Sequence, residues 1–141
     1  MKYQYINNTT TLFKDELQHE ISTYNQTQGV SSRIQLIGCS AIDQNGMLAG
    51  GIYGWFEWGW LFINLLWVDN ALRGQGIGTR LLSELEEKAV QVNINSAHLE
   101  TASFQSFEFY INRGYKTVLQ MPITSDNGAQ YTKYTMHKKL K

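Results

Sequence analysis

Leu66-Trp67-Val68-Asp69-Asn70-Ala71-Leu72-Arg73-Gly74-Gln75-Gly76-Ile77-Gly78-Thr79-Arg80-Leu81-Leu82 is the stretch on which the fold turns. An apolar run ends at Val68, and three glycines at alternate positions lead into Ile77, Leu81, Leu85 and Ala89, which recur every four residues. The spacing predicts a strand, a glycine turn and an amphipathic helix. A helix start presents unpaired N–H groups and the positive end of its dipole, so a glycine turn at that point suits a phosphate. Glycine allows close backbone approach and positive φ. A tight strand-to-helix connection without a ligand is the alternative. No Gly-Lys-Ser/Thr follows, and Gly74-x-Gly76-x-Gly78 is not G-x-G-x-x-G, so neither a triphosphate loop nor a dinucleotide loop is present.

At 141 residues with 43% hydrophobic side chains, the chain reads as one domain, residues 1–141, able to bury a core. Twelve basic and twelve acidic residues cancel, which points away from nucleic acid and from an anionic membrane surface. The single cysteine, Cys39, has no disulfide partner in the chain and reads as a buried, inert thiol. The start Met-Lys-Tyr-Gln-Tyr resembles no signal or transit segment, and no apolar run approaches the roughly 18 residues of a membrane span, so a cytoplasmic location is expected.

Outward from the glycine turn, Leu61 to Val68 reads as a central strand buried on both faces. Before it, Arg33–Ile42 and Met47–Phe56 flank Asp43-Gln44-Asn45-Gly46 and predict an antiparallel hairpin, with Gly50, Gly51 and Gly54 leaving room for a bulge or a close neighbour. Lys2 to Ile6 is a short strand candidate, and Phe13, Leu17, Ile21 and Tyr24 make one helical stripe. After the second helix, Ser96 to Thr101 alternates as a half-buried strand. A further helix is expected from Ser103, with Phe104, Phe107 and Ile111 on one face and Gly114 as its C-cap. Tyr115–Met121 and Tyr131–Leu140 close the chain as strands around a loop over 122–130 long enough to suggest a role at a site. The aromatics crowded between Tyr53 and Trp67 predict core, pocket wall or an association face, and with it a homodimer.

Arg73-x-x-Gly76-x-Gly78 resembles the acetyl-CoA pyrophosphate loop of the GCN5-related N-acetyltransferase (GNAT) superfamily. Phe109-Tyr110 followed after three residues by Gly114-Tyr115 resembles that superfamily's second signature, and the order of elements matches its fold over nearly the whole chain. Two further stretches, 60–68 and 99–105, look like one bacterial subgroup. The resemblance implies an α/β fold with a mixed, mostly antiparallel sheet of six to seven strands, flanking helices and a splayed central strand pair. It also implies acetyl-CoA as cosubstrate, no metal, and transfer of acetyl to a primary amine of a small molecule or peptide.

Carried over by the same resemblance, Leu66, Trp67 and Val68 meet the pantetheine arm, and Arg73, Gly74, Gln75, Gly76, Ile77, Gly78 and Thr79 cradle the pyrophosphate. Ser103 and Ser106 complete the cofactor set, Ser103 standing where many relatives have asparagine. Tyr110 would protonate the leaving thiolate, since a phenol with an ordinary pKa near 10 stays protonated at neutral pH. The central-strand position that often carries a carboxylate base is Asn64, which cannot accept the proton. Glu57 or Glu100 acting through water is then the expected base, with His19 and His98 as further candidates. Asn64 and Ser103 also leave open a non-catalytic acyl-CoA-binding module, and the aromatic strand leaves open an interaction domain.

Overall fold

The structure, a computed structural model, describes Met1, Tyr3, Gln4 and residues 11–31 and 33–141. Its contacts form two compact units, Met1–Arg33 and Ile34–Lys141. In the first, α1 (Thr11–Thr27) carries the expected stripe of Phe13, Leu17, Ile21 and Tyr24, and none of its residues is buried. The strand expected over Lys2–Ile6 lies mostly outside the described residues.

The second unit is built on a six-stranded sheet: β1 (Gln35–Ile42), β2 (Leu48–Glu57), β3 (Trp60–Val68), β4 (Ser96–Ala102), β5 (Lys116–Thr124) and β6 (Gln130–Lys139). The spatial order is β1-β2-β3-β4-β6-β5. Every neighbouring pair is antiparallel except β3 with β4, which the crossover helix α2 (Ile77–Gln91) joins in parallel. The β1–β2 hairpin forms where Asp43-Gln44-Asn45-Gly46 predicts it, with the Asp43 carboxylate accepting the N–H groups of Asn45 and Met47 at 2.8 Å each.

α2 buries Leu81, Leu82, Leu85 and Ala89 against Ile52, Phe56, Leu61, Ile63, Ala97 and Leu99 of the sheet. Each such leucine contributes roughly 1.5–3 kcal/mol on leaving water, so this seam sets the position of the helix start that bears on function.

β3 carries one residue more than its partner. The register runs from Tyr53↔Leu65 to Gly54↔Ile63, which leaves Asn64 opposite nothing. Gly54 makes this possible, because a Cβ there would collide with the Phe62 carbonyl. On its other side β3 pairs with β4 only from Trp60↔Ser96 to Ile63↔Leu99. Beyond that point the two strands part.

Three expectations are corrected. β3 is not buried on both faces throughout: Leu61 and Ile63 are buried, whereas Asn64, Leu65 and Trp67 are exposed, because the parting removes the neighbouring strand. The helix expected from Ser103 begins only at Phe107 as α3 (Phe107–Ile111). Ser103 is held to β6 instead, its N–H donating to the Thr132 carbonyl at 2.8 Å and its hydroxyl accepting the Thr132 N–H at 3.1 Å. The Gln105 side chain accepts the Ala102 N–H at 3.0 Å, which keeps 103–106 a turn and leaves Phe104 against Tyr131 rather than on the helix face. The loop expected over 122–130 is shorter than that: 122–124 belong to β5 and Gln130 to β6, which leaves a turn over 125–129 closed by the Ser125 N–H on the Ala129 carbonyl at 2.9 Å. Pro122 fits this because β5 is an outer strand, where a missing N–H costs nothing.

Candidate active site

The parting of β3 from β4 opens a cleft of about 750 Å³. One wall is Asn64, Leu65, Leu66, Trp67 and Val68 of β3, whose β4-side backbone groups have lost their ladder. The floor is the glycine turn with the first turn of α2, and the far wall is Phe104, Gln105, Ser106, Phe109, Tyr110 and Arg113 around α3.

Asp69 shapes the turn, its carboxylate accepting the Ala71 N–H at 2.8 Å while its own N–H donates to Ala49 at 2.9 Å. Gly74 and Gly76 have φ of 78° and 81°, in the left-handed region, and Gly76 caps α2 with no side chain over the helix start. The first intrahelical bond runs from the Arg80 N–H to the Gly76 carbonyl at 2.9 Å. The N–H groups of Ile77, Gly78 and Thr79 therefore lack a helical acceptor where those residues line the cleft. A helix start with free N–H groups and no side chain over it suits an anion.

Arg73 turns inward, its Nε donating to the Val68 carbonyl at 3.1 Å. Thr79 is bound more tightly: two guanidinium nitrogens of Arg113 donate to its hydroxyl oxygen, Nε at 3.1 Å. A third, Nη1, donates to the Phe109 carbonyl at 2.8 Å, and the guanidinium lies 3.7 Å from the centre of the Phe109 ring.

Tyr110 is 7% exposed and stands edge-on between Phe109 and Tyr115 at 5.1 and 5.7 Å. Burial pushes its phenol up to about 12, so it is protonated across the physiological range.

A second chamber, of about 400 Å³, is lined by Trp55, Phe62, Ile63, Asn64, His98, Glu100, Thr101, Ala102, Gln105, Ile123 and Lys133. Asn64, Glu100, Thr101 and Gln105 belong to both spaces, so the two meet at the parting of the strands. Trp55 and Phe62 stack there, 5.5 Å apart and 9° from parallel. Glu100 pairs with Lys133 at 2.6 Å.

Of the residues singled out in the sequence, Leu66, Trp67, Val68, Arg73, Gly74, Gly76, Ile77, Gly78, Thr79, Glu100, Ser106 and Tyr110 are brought together around the cleft. Gln75 lies instead in a separate depression beside Cys39, Arg80 and Glu84, and Ser103 is turned to β6. The Glu57 carboxylate accepts the Trp55 indole N–H at 3.3 Å and lines neither space. Arg113 and His137 went unassigned in the sequence. Arg113 was within reach, one helical turn after Tyr110 in the second signature. His137 was not, because its bond to His98 depends on the β4–β6 register.

A sequence model of the Acetyltransferase (GNAT) family matches residues 6–115. The chain belongs to that family. The chain is 33% identical over 110 residues to the blasticidin-S acetyltransferase of Streptomyces morookaense, covering 77% of this chain and 81% of that one. A crystal structure of an acetyltransferase from Bacillus cereus superimposes with a TM-score of 0.81 at 25% identity, over 96% of this chain and 97% of the other. A second, from Agrobacterium tumefaciens, shares the fold with a TM-score of 0.86 at 22% identity, over 99% of both chains. The six-stranded mixed sheet with flanking helices is thus the GNAT fold.

Proposed function

We propose that this GNAT protein transfers an acetyl group from acetyl-CoA to a primary amine of a small molecule or peptide by direct attack. The observation that carries the reading is the meeting of the two spaces at Asn64 and Glu100, with Tyr110 on the cleft side and the stacked Trp55 and Phe62 on the other. Acetyl-CoA takes the cleft, with its pyrophosphate on the start of α2 and its pantetheine arm along residues 64–68. The amine enters from the second chamber. Holding the two in line converts a bimolecular reaction into a local one.

The amine nitrogen attacks the thioester carbonyl while a β3 backbone N–H stabilises the developing oxyanion. Tyr110 gives its proton to the departing sulfur. A thiol ordinarily titrates near 8.5, so transfer from a phenol raised to about 12 runs uphill by itself. The nitrogen's proton, released as the intermediate collapses, returns to the Tyr110 oxygen and completes the exchange. No metal takes part in these steps.

The name of the Streptomyces relative, and the flat aromatic pair lining the second chamber, favour an amine on a planar or apolar frame. On the same face as that pair, Tyr53, Leu65 and Trp67 are 38%, 62% and 46% exposed. We infer that they pair two copies into a homodimer, which light scattering at micromolar protein reads as twice the chain mass. The function is tested by titrating the protein with acetyl-CoA in a calorimeter and then following CoA-thiol release with blasticidin S and a series of primary amines. Micromolar binding with amine-dependent thiol release is expected. Binding without release would leave an acyl-CoA-binding module, and no binding would leave an interaction domain.

A further inference from the structure

His98 on β4 and His137 on β6 are cross-strand partners, and His98 Nδ1 lies 3.0 Å from His137 Nε2. The His98 ring packs on Phe62 at 5.1 Å and the His137 ring on Trp60 at 4.8 Å, which fixes both planes. Two imidazolium rings cannot share such a bond, since both nitrogens would be donors. One ring is therefore neutral wherever the bond exists. His98 also lines the second chamber, on the same face of β4 as Glu100 and two residues before it, roughly 7 Å away along the strand.

We propose that His98, held by His137, is the base that takes the proton from the incoming ammonium group, directly or through one water. This rests on the acetyl-transfer reading above. Glu100 is the weaker choice, because its carboxylate is engaged by the Lys133 ammonium at 2.6 Å, whereas an imidazole bonded through one ring nitrogen keeps the other for a proton. Burial and the neighbouring His137 both hold the His98 ring below its usual value, and Glu100 opposes them more weakly, so His98 is a free base at neutral pH.

The protons balance. The ammonium gives one proton to His98 Nε2 before attack, and the attacking nitrogen loses its second to Tyr110 as Tyr110 protonates the thiolate. The proton on His98 passes through His137 to solvent, so each turnover yields amide, CoA thiol and one released proton. His137 acts through His98 and is a positioning residue. The other charged groups on this face are Lys133 and Lys139 of β6, Lys116 of β5 opposite His137, and Glu57 at the end of β2.

The test follows kcat against pH at saturating amine, with blasticidin S and the primary-amine series as probes, and calorimetry reporting acetyl-CoA binding. The wild type should lose activity toward acid with an apparent pKa below 6.5. His98→Gln should lower kcat about 100-fold at pH 7 and abolish that limb, with acetyl-CoA affinity within threefold. His137→Phe should move the limb upward, a shift that a merely structural role would not produce. Ring titrations by NMR on the wild type need no variant and should show two coupled steps. An amine turned over by His98→Gln at full rate with the limb in place, or two rings titrating independently near 6.5, would overturn the proposal and leave acetyl transfer standing. A wild type that binds no acetyl-CoA, or binds it and acetylates none of the amines, would sink both.

Discussion

Arg113 holds the Thr79 hydroxyl from across the fold, with two of its nitrogens on one oxygen between residues 34 positions apart. A hydroxyl oxygen has two lone pairs and one proton. With both lone pairs filled, Thr79 has only its O–H left to offer, and so it faces the α2 start as a donor. Arg113→Met would free that oxygen to act as an acceptor and remove a positive charge beside the proposed pyrophosphate. Acetyl-CoA affinity should fall about tenfold, or roughly 1.4 kcal/mol. Thr79→Val should cost a similar amount, and the double variant little more, because the two act as a unit. Additive losses by calorimetry would show that Arg113 acts independently of Thr79.

Gly76 and Gly128 form a matched pair for testing the glycine turn. Both have φ near 80°, at 81° and 82°, and a Cβ at either would meet open space. A valine at either therefore strains the backbone to a comparable degree, on the order of 1–2 kcal/mol. Only Gly76 lines the cleft. Gly76→Val should weaken acetyl-CoA binding at least about tenfold, while Gly128→Val should lose similar stability and keep its affinity. Equal affinities in calorimetry, with equal melting losses, would move the cosubstrate away from this turn.

Tyr110→Phe removes one oxygen and keeps the ring between Phe109 and Tyr115. The ring contacts that hold the side chain are kept, so the melting temperature should hold. General acid assistance is typically worth about 10²- to 10⁴-fold. kcat should fall by that order with acetyl-CoA affinity within threefold. Full kcat with chemistry rate-limiting would show the thiolate leaving unassisted.

Tyr115, Glu86 and Lys138 tie the segment before β5 to α2 and β6. The Tyr115 hydroxyl donates to one Glu86 oxygen at 2.9 Å and Lys138 to the other at 2.7 Å. Burial, and then Glu86, pushes the Tyr115 phenol far up, and burial alone raises Tyr110. Unfolded tyrosine titrates near 10, so both groups contribute stability that is fully present below pH 10 and lost as pH rises toward their folded values. Urea unfolding should show a falling free energy between pH 10 and 11, less steep in Tyr115→Phe. Glu86→Gln should cost about 1–3 kcal/mol at pH 8. A flat profile above pH 10 would contradict the burial of these phenols.

The strand, turn and helix around Gly76, and the β1–β2 hairpin, were legible because their determinants are local: a 3.6-residue period, glycines that need positive φ, and the Asn45-Gly46 turn. Tyr110 was singled out by the resemblance of Phe109-Tyr110 and Gly114-Tyr115 to the second signature, and it lies on the cleft wall. What escaped depends on partners distant in sequence. Ser103 looks like a helix cap until the Thr132 backbone claims it, and 122–124 looks like loop until β6 pairs with it. His98 reads as one more surface histidine until the β4–β6 register sets His137 beside it. Asn64, read as a missing base, proved to be the unpaired residue of a bulge, which only the β2–β3 register reveals.

That bulge and the parting beside it give the sheet an edge in its own middle. Outer edges are commonly blunted by charge or proline, and Pro122 serves β5 in this way. The inner edge, Asn64-Leu65-Leu66-Trp67-Val68, carries neither. It offers an unguarded ladder to any extended chain with amides at strand-like spacing, including the same segment of another molecule. Filling the gap would then do two jobs: it would present a thioester for reaction, and it would shield an unguarded edge of the sheet. Ligand-free protein should accordingly precipitate faster on warming than protein saturated with acetyl-CoA, by more than a gain in melting temperature alone accounts for.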